Sequence, residues 1–265
     1  MDLGISGKVA FIAGGSKGIA RSVSSLLAAD GCKVAIVARD RTAIDRAVKE
    51  VTAEGGTAMG VSADLSTQEG VNSAVAEVTE EWGSPDICLS QITALGPEHW
   101  GAFSDVPVPS YANTFDLAVL THIRLAHAVV PEMRRKGWGR FVHLGTLSAA
   151  EAATYFPSMI HNTVQPAMMG FLKSMSDELA REGITFNSVA PGWVNTEMLH
   201  GFFGNLGIEP DGIEPWVLEN QNVPIGRLAR PVEVASMIAY LCSDLAGYCT
   251  GNHIPVDGSM HRSNC

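Results

Sequence analysis

Five cysteines occur in the 265 residues (Cys32, Cys88, Cys242, Cys249, Cys265), but none form a CxxC pair or fall at metal-ligand spacing, so no zinc or other metal site is expected. Cys32 and Cys88 fall at or inside strand-like runs, where a free thiol behaves as a small hydrophobe. Positive charge is also scarce. Eighteen Lys and Arg stand against 28 Asp and Glu, a net charge of −10, which argues against nucleic acid or an anionic membrane surface as a partner. The single basic cluster, Arg134, Arg135 and Lys136, falls where a helix should end and reads as compensation of the helix dipole. No apolar run reaches transmembrane length, and no signal peptide precedes the first strand, so a cytoplasmic protein in a reducing compartment is expected. No Pro/Ser-rich linker or shift in composition interrupts residues 1–265, which are expected to form one domain.

What the chain does have is apolar residues, 46% against 17% charged, enough for a well-buried core. The rest is organised around residues 8–20, KVAFIAGGSKGIA. Val9 to Ala13 reads as a buried strand, Gly14, Gly15 and Gly18 follow at once, and a helical pattern (Ile19, Val23, Leu26, Leu27) opens on the last. Strand, glycine turn and helix together present backbone N–H groups and a positive helix end to a phosphate. The spacing differs from the G-x-G-x-x-G dinucleotide fingerprint, so the turn alone is a weak signal.

Further strands are expected at residues 33–38, 57–61, 86–89, 140–145, 184–189 and 253–256. Helices are expected at 42–53, 67–82, about 111–136, about 157–181 and 231–243. Such alternation predicts an α/β fold, a Rossmann-type doubly wound parallel sheet with helices on both faces and ligands at the strand C-termini. Arg39 lies at the tip of the second strand and Lys17 in the glycine turn. Two cations with no carboxylate at the strand tip favour NADP(H) over NAD(H) if a dinucleotide binds.

With these elements placed, the chain resembles the short-chain dehydrogenase/reductase family along nearly its whole length. The glycine turn is similar to that family's TGxxxGxG, and Asp64 to its adenine-contacting acidic residue. Residues 187–196 (NSVAPGWVNT) resemble its N-x-V-x-P-G stretch, and residues 224–231 and 250–258 its C-terminal signatures. The resemblance implies cofactor contacts at Gly14, Ser16, Lys17, Gly18, Ile19, Arg39, Asp64, Leu65, Gln91, Pro191, Gly192, Val194 and Thr196, the last near the nicotinamide carboxamide. It also implies a homotetramer built on the two long helices.

The chain departs from the family pattern where the chemistry lies. The N-N-A-G segment reads Ser90, Gln91, Ile92, Thr93, and the helix Asn aligns with Ala118. The Tyr and Lys of Y-x-x-x-K align with His161 and Gln165, and the catalytic Ser with Thr146 or Ser148. Tyr155 starts no such motif, because Met159 stands four residues on, but it is a candidate substrate contact. His161 is expected to transfer a proton, and Gln165 to bond a ribose hydroxyl without supplying positive charge. Without the Tyr/Lys acid, the expected acceptor is a conjugated C=C bond, an iminium or a carbonyl in a hydrophobic or aromatic molecule, held against the nicotinamide. Residues 193–223, with Trp193, Phe202, Phe203, Leu206 and Trp216, are expected to form a lid hinged at Gly201, Gly204 and Gly207. His99 is expected to form another wall. Two other readings remain: a non-redox enzyme on the same fold (lyase, dehalogenase-like, isomerase or cyclase), or an inactive dinucleotide-binding protein.

Overall fold

Buried apolar runs bounded by turns become the seven strands of a parallel sheet in the computed structural model, which describes residues 2–92, 103–153 and 159–263. These are β1 (Val9–Ala13), β2 (Lys33–Ala38), β3 (Thr57–Ser62), β4 (Ile87–Ser90), β5 (Gly139–Leu144), β6 (Ile184–Pro191) and β7 (His253–Val256), in the order β3-β2-β1-β4-β5-β6-β7. Because side chains alternate across a strand, each strand feeds two cores. Phe11, Cys88, Phe141 and Phe186 point to one face. There they pack under α3 (Gln68–Trp82), α5 (Thr121–Lys136) and α7 (Pro166–Leu179). Ala10, Ile12, Val142 and Val189 point to the other, under α1 (Gly18–Ala29), α2 (Arg41–Ala53) and α10 (Pro231–Leu241). The sheet is doubly wound, as expected.

Local chemistry sets the boundaries. Asp40 caps α2 by accepting from Ala43 N at 3.1 Å, and Thr67 caps α3 by accepting from Gly70 N at 3.0 Å. α5 ends on Arg134, Arg135 and Lys136, with Gly137 in the left-handed conformation. The basic cluster is also tied down: Arg134 pairs with Glu182 at 2.7 Å, Arg135 with Glu132 at 2.8 Å and Lys136 with Asp86 at 2.8 Å.

Three expectations are corrected. The first long helix begins earlier, as α4 (Val108–Phe115), and passes through a π turn, Asp116–Leu120, before α5. There the Thr121 N–H reaches back five residues to the Asp116 carbonyl. The second long helix is broken into α6 (Met159–Val164) and α7, since Pro166 has no N–H to continue the ladder. The segment expected as a lid carries two helices, α8 (Glu197–Gly204) and α9 (Pro210–Asn220). Gly201 and Gly204 lie inside α8, so of the three proposed hinges only Gly207 adopts a left-handed backbone, with φ of 74°.

Candidate active site

Parallel strands bring their C-terminal ends to one edge, and there a cleft of about 860 Å³ opens. Its first end is the glycine turn. Gly14 and Gly18 hold φ of 70° and 58°, and a Cβ on Gly14 would lie 2.5 Å from the Gln91 carbonyl oxygen. A Cβ on Gly18 would point toward Thr196, 3.5 Å from its methyl group, across the space between the two sides of the cleft. Lys17, the residue before α1, makes no side-chain cap, so its side chain does not satisfy the helix N-terminus. Ser16, Lys17, Gly18 and Ile19 all line the cleft. This bare, glycine-lined helix end fits a pyrophosphate.

Beyond β2 and β3 lie Arg39, Asp64 and Leu65. The hydroxyl of Ser66 donates to Asp64 Oδ1 at 2.7 Å and its N–H at 3.0 Å. These bonds, the hydroxyl first, hold the Asp64 carboxyl below its usual range, with Arg39 adding to the effect. The strand tip is not free of carboxylates, contrary to expectation. Asp40 also lines the cleft and approaches Lys17 at 3.6 Å while capping α2. Both side chains of this pair are about half exposed, which makes it a weak tether.

At the other end stand Gln91, Pro191, Gly192, Val194 and Thr196, all lining the cleft. Thr196 Oγ1 accepts from Leu199 N at 3.2 Å and so caps α8, leaving its own O–H to donate elsewhere. Thr146, Ser148, His161 and Gln165 line the same region. The Thr146 and Ser148 hydroxyls lie 3.3 Å apart, so the structure brings both candidates for the serine position together. Gln165 N donates to His161 O at 2.9 Å, keeping a helical turn between the two side chains even though α6 ends at Val164. Gln165 Oε1 is buried with no hydrogen-bond partner among the described residues, which marks it as an acceptor left for a ligand.

Of the expected substrate contacts, Trp193 and Phe202 line the cleft, joined by Met198 and Leu199. Phe203 does not. It is fully buried behind the wall, 5.9 Å from Trp193, 5.4 Å from Phe202 and 5.1 Å from Trp216 between ring centroids. α8 turns by about 100° between Phe202 and Phe203, enough to put Phe202 in the cleft lining and Phe203 in the core behind it. His99 and Tyr155 lie outside the described residues.

A row of polar residues under the cleft went unnoticed in the sequence. Ser90, His143, Ser188 and His253 are register partners across β4, β5, β6 and β7. His122, on α5, joins them: its Nδ1 lies 2.5 Å from Ser90 Oγ, and its ring meets that of His143 edge-on at 4.5 Å. Ser188 Oγ lies 3.1 Å from His253 Nδ1. His122 and His143 line the cleft floor at 1% and 2% exposure. Burial pushes His122 down to about 4 and His143 well below the usual histidine range, keeping both neutral. Apart from a loose approach to the Ser90 backbone, neither His143 ring nitrogen has a partner among the described residues. The available sequence signal was a histidine within an otherwise apolar parallel strand.

Comparison with known proteins agrees with this geometry. Residues 13–261 match the family model described as enoyl-(acyl carrier protein) reductase. The chain is 29% identical to the 3-oxoacyl-acyl-carrier-protein reductase FabG of Vibrio cholerae, covering 98% of this chain and 99% of the relative. Among solved structures it is similar to L-sorbose reductase from Gluconobacter frateurii complexed with NADPH and L-sorbose, with a TM-score of 0.88, 30% identity and coverage of 99% and 100%. A variant of actinorhodin polyketide ketoreductase with NADPH gives a TM-score of 0.88 at 26% identity, covering 97% of this chain and 98% of that one. A parallel sheet in this strand order, a bare glycine-lined helix end, and a match over nearly the whole chain place this protein in the short-chain dehydrogenase/reductase family of oxidoreductases.

Proposed function

We propose that the protein is an NADP(H)-dependent reductase of a small hydrophobic or aromatic molecule, working without the family's Tyr/Lys acid pair. One observation carries the reading. A single cleft is lined by the glycine turn, Arg39, Asp64 and Thr196 and also by Thr146, Ser148, His161 and Gln165. The NADPH complexes of two similar reductases support the choice of nucleotide. Lys17 and Arg39 supply the charge that a 2′-phosphate needs, and Asp40 tempers it through Lys17.

When bound, the dinucleotide supplies hydride. The chain's own residues do the rest. Gln165 Oε1 accepts from a ribose hydroxyl and fixes the sugar, but adds no charge to acidify a neighbour. His161 donates the proton to the atom that gains electron density, and Thr146, supported by Ser148, donates a hydrogen bond to that atom. Trp193, Phe202, Met198 and Leu199 exclude water and hold the acceptor carbon. This weak acid set suits an acceptor whose charge is dispersed or cancelled on hydride addition, a conjugated C=C or an iminium, before a simple ketone. The family model's description as an enoyl reductase supports the first of these. A cytoplasmic homotetramer paired through the long helices, with α8 and α9 as a lid over the substrate, completes the reading.

The test is a fluorescence titration with NADPH and then NADH. Wild-type protein is expected to bind NADPH at least about tenfold more tightly, and Arg39→Ala to erase most of that preference. Equal affinity for both nucleotides, or an unchanged preference in Arg39→Ala, would overturn the assignment.

A further inference from the structure

The chain's last described residues return to the cleft. β7 leads into a turn in which Asp257 Oδ1 accepts from Ser259 N at 3.1 Å, while Oδ2 accepts from His261 N at 2.8 Å and lies 2.7 Å from His261 Nδ1. Ser259 takes a left-handed backbone, with φ of 71°, the only non-glycine residue among those described to do so. The tail is then pinned at its far end. Glu151 Oε2, three residues past Ser148, accepts from Arg262 N at 2.8 Å and Ser263 N at 3.0 Å.

Between these two carboxylate anchors sits Met260, 9% exposed and lining the cleft. It lies directly on the Pro191–Gly192 turn. A Cβ on Gly192 would fall 2.9 Å from Met260 Sδ and 2.8 Å from the Asp257 Cα, so glycine there makes room for the tail. Two anchors and a strained residue are spent on placing one thioether.

We infer that Met260 is the residue that sets the size of the substrate end of the cleft, and that Glu151 positions it there. The ligand assigned to it is uncharged and apolar, of aromatic-ring size, because Trp193, Phe202 and Met198 line the same cleft. The inference rests on the reading of the cleft as a reductase site, but its test does not need turnover.

The probe is N-phenyl-1-naphthylamine, neutral and fluorescent in apolar surroundings, titrated into protein saturated with NADP+. Wild type is expected to bind it. Met260→Trp should weaken binding about tenfold, while Met260→Leu stays near wild type. Glu151→Ala should weaken it several-fold and speed removal of the tail by carboxypeptidase Y, and Glu151→Gln, which keeps an oxygen acceptor, should restore both. Should Met260→Trp fail to fold, the Glu151 pair decides alone. Probe binding unaffected in Met260→Trp and Glu151→Ala, or absent in wild type, would overturn the inference. Probe binding blocked by Met260→Trp in a protein that binds no nucleotide would leave Met260 in its role and remove the reductase reading instead.

Discussion

A lysine at the position of Gln165 would place a fixed positive charge at the cleft wall, whereas Gln165 offers a carbonyl oxygen unpaired among the described residues. In the proposed mechanism the proton therefore comes from another group, and His161 lines the same cleft. His161→Phe is expected to lower turnover about 10²-fold or more while leaving the NADPH dissociation constant within about twofold, measured by stopped-flow reduction and by fluorescence titration. Unchanged turnover would remove His161 from the mechanism. Much of this site was legible in the sequence, because Gly14, Gly18, Asp64, Thr146 and Thr196 each follow a strand at short spacing. The residues that escaped are joined only by the fold. Ser90, His122, His143, Ser188 and His253 are scattered along the chain; strand register makes the four strand residues neighbours, and the packing of α5 brings His122 to them. Phe203 was misplaced for a similar reason, since composition shows an aromatic pair without showing which one faces inward.

Strand positions were readable nearly to the residue, because a buried parallel strand is a short apolar run between turn residues. Helix interruptions were harder to see, since they depend on tertiary bonds. The π turn at Asp116–Leu120 is held by Arg124, whose Nη2 donates to Asp116 Oδ1 at 2.6 Å and whose Nη1 donates to the Ser66 carbonyl at 2.8 Å. Arg124 thus links the helix bulge to the loop that carries Asp64 and Leu65. Arg124→Met is expected to cost about 1–2 kcal/mol, seen as a melting temperature lower by roughly 3–6 °C, and to weaken NADPH binding several-fold. A melting temperature and affinity both equal to wild type would show that the bulge and the loop hold themselves. The Pro166 break was visible as a residue, but its outcome was not: the Gln165 N–H still bonds the His161 carbonyl across the end of α6.

At the scale of the whole molecule, the buried histidines contribute to the response to acid above the carboxylate range. An unfolded histidine takes up a proton near its usual value, about 6.5, while burial holds folded His122 down to about 4 and folded His143 well below the usual range. Between those limits the unfolded state binds more protons, so stability rises with pH there and falls as pH drops from about 6.5 to about 4. For His122 alone the loss reaches up to roughly 3 kcal/mol. Melting temperature followed from pH 7 to pH 4.5 should fall, and His122→Leu should flatten the slope; an identical slope in the variant would assign acid sensitivity to other groups. The strand order β3-β2-β1-β4 has a consequence for biosynthesis. Everything up to Ser90, with the glycine turn, Arg39 and Asp64, leaves the ribosome first, and these strands are neighbours in the sheet. At about 5–20 residues per second, the 170 residues from Gln91 to Met260 take roughly 10–35 s more. The part of the cleft built from the glycine turn, Arg39 and Asp64 can therefore assemble on the nascent chain before the part that carries Thr146, His161, Gln165 and Met260 has been made.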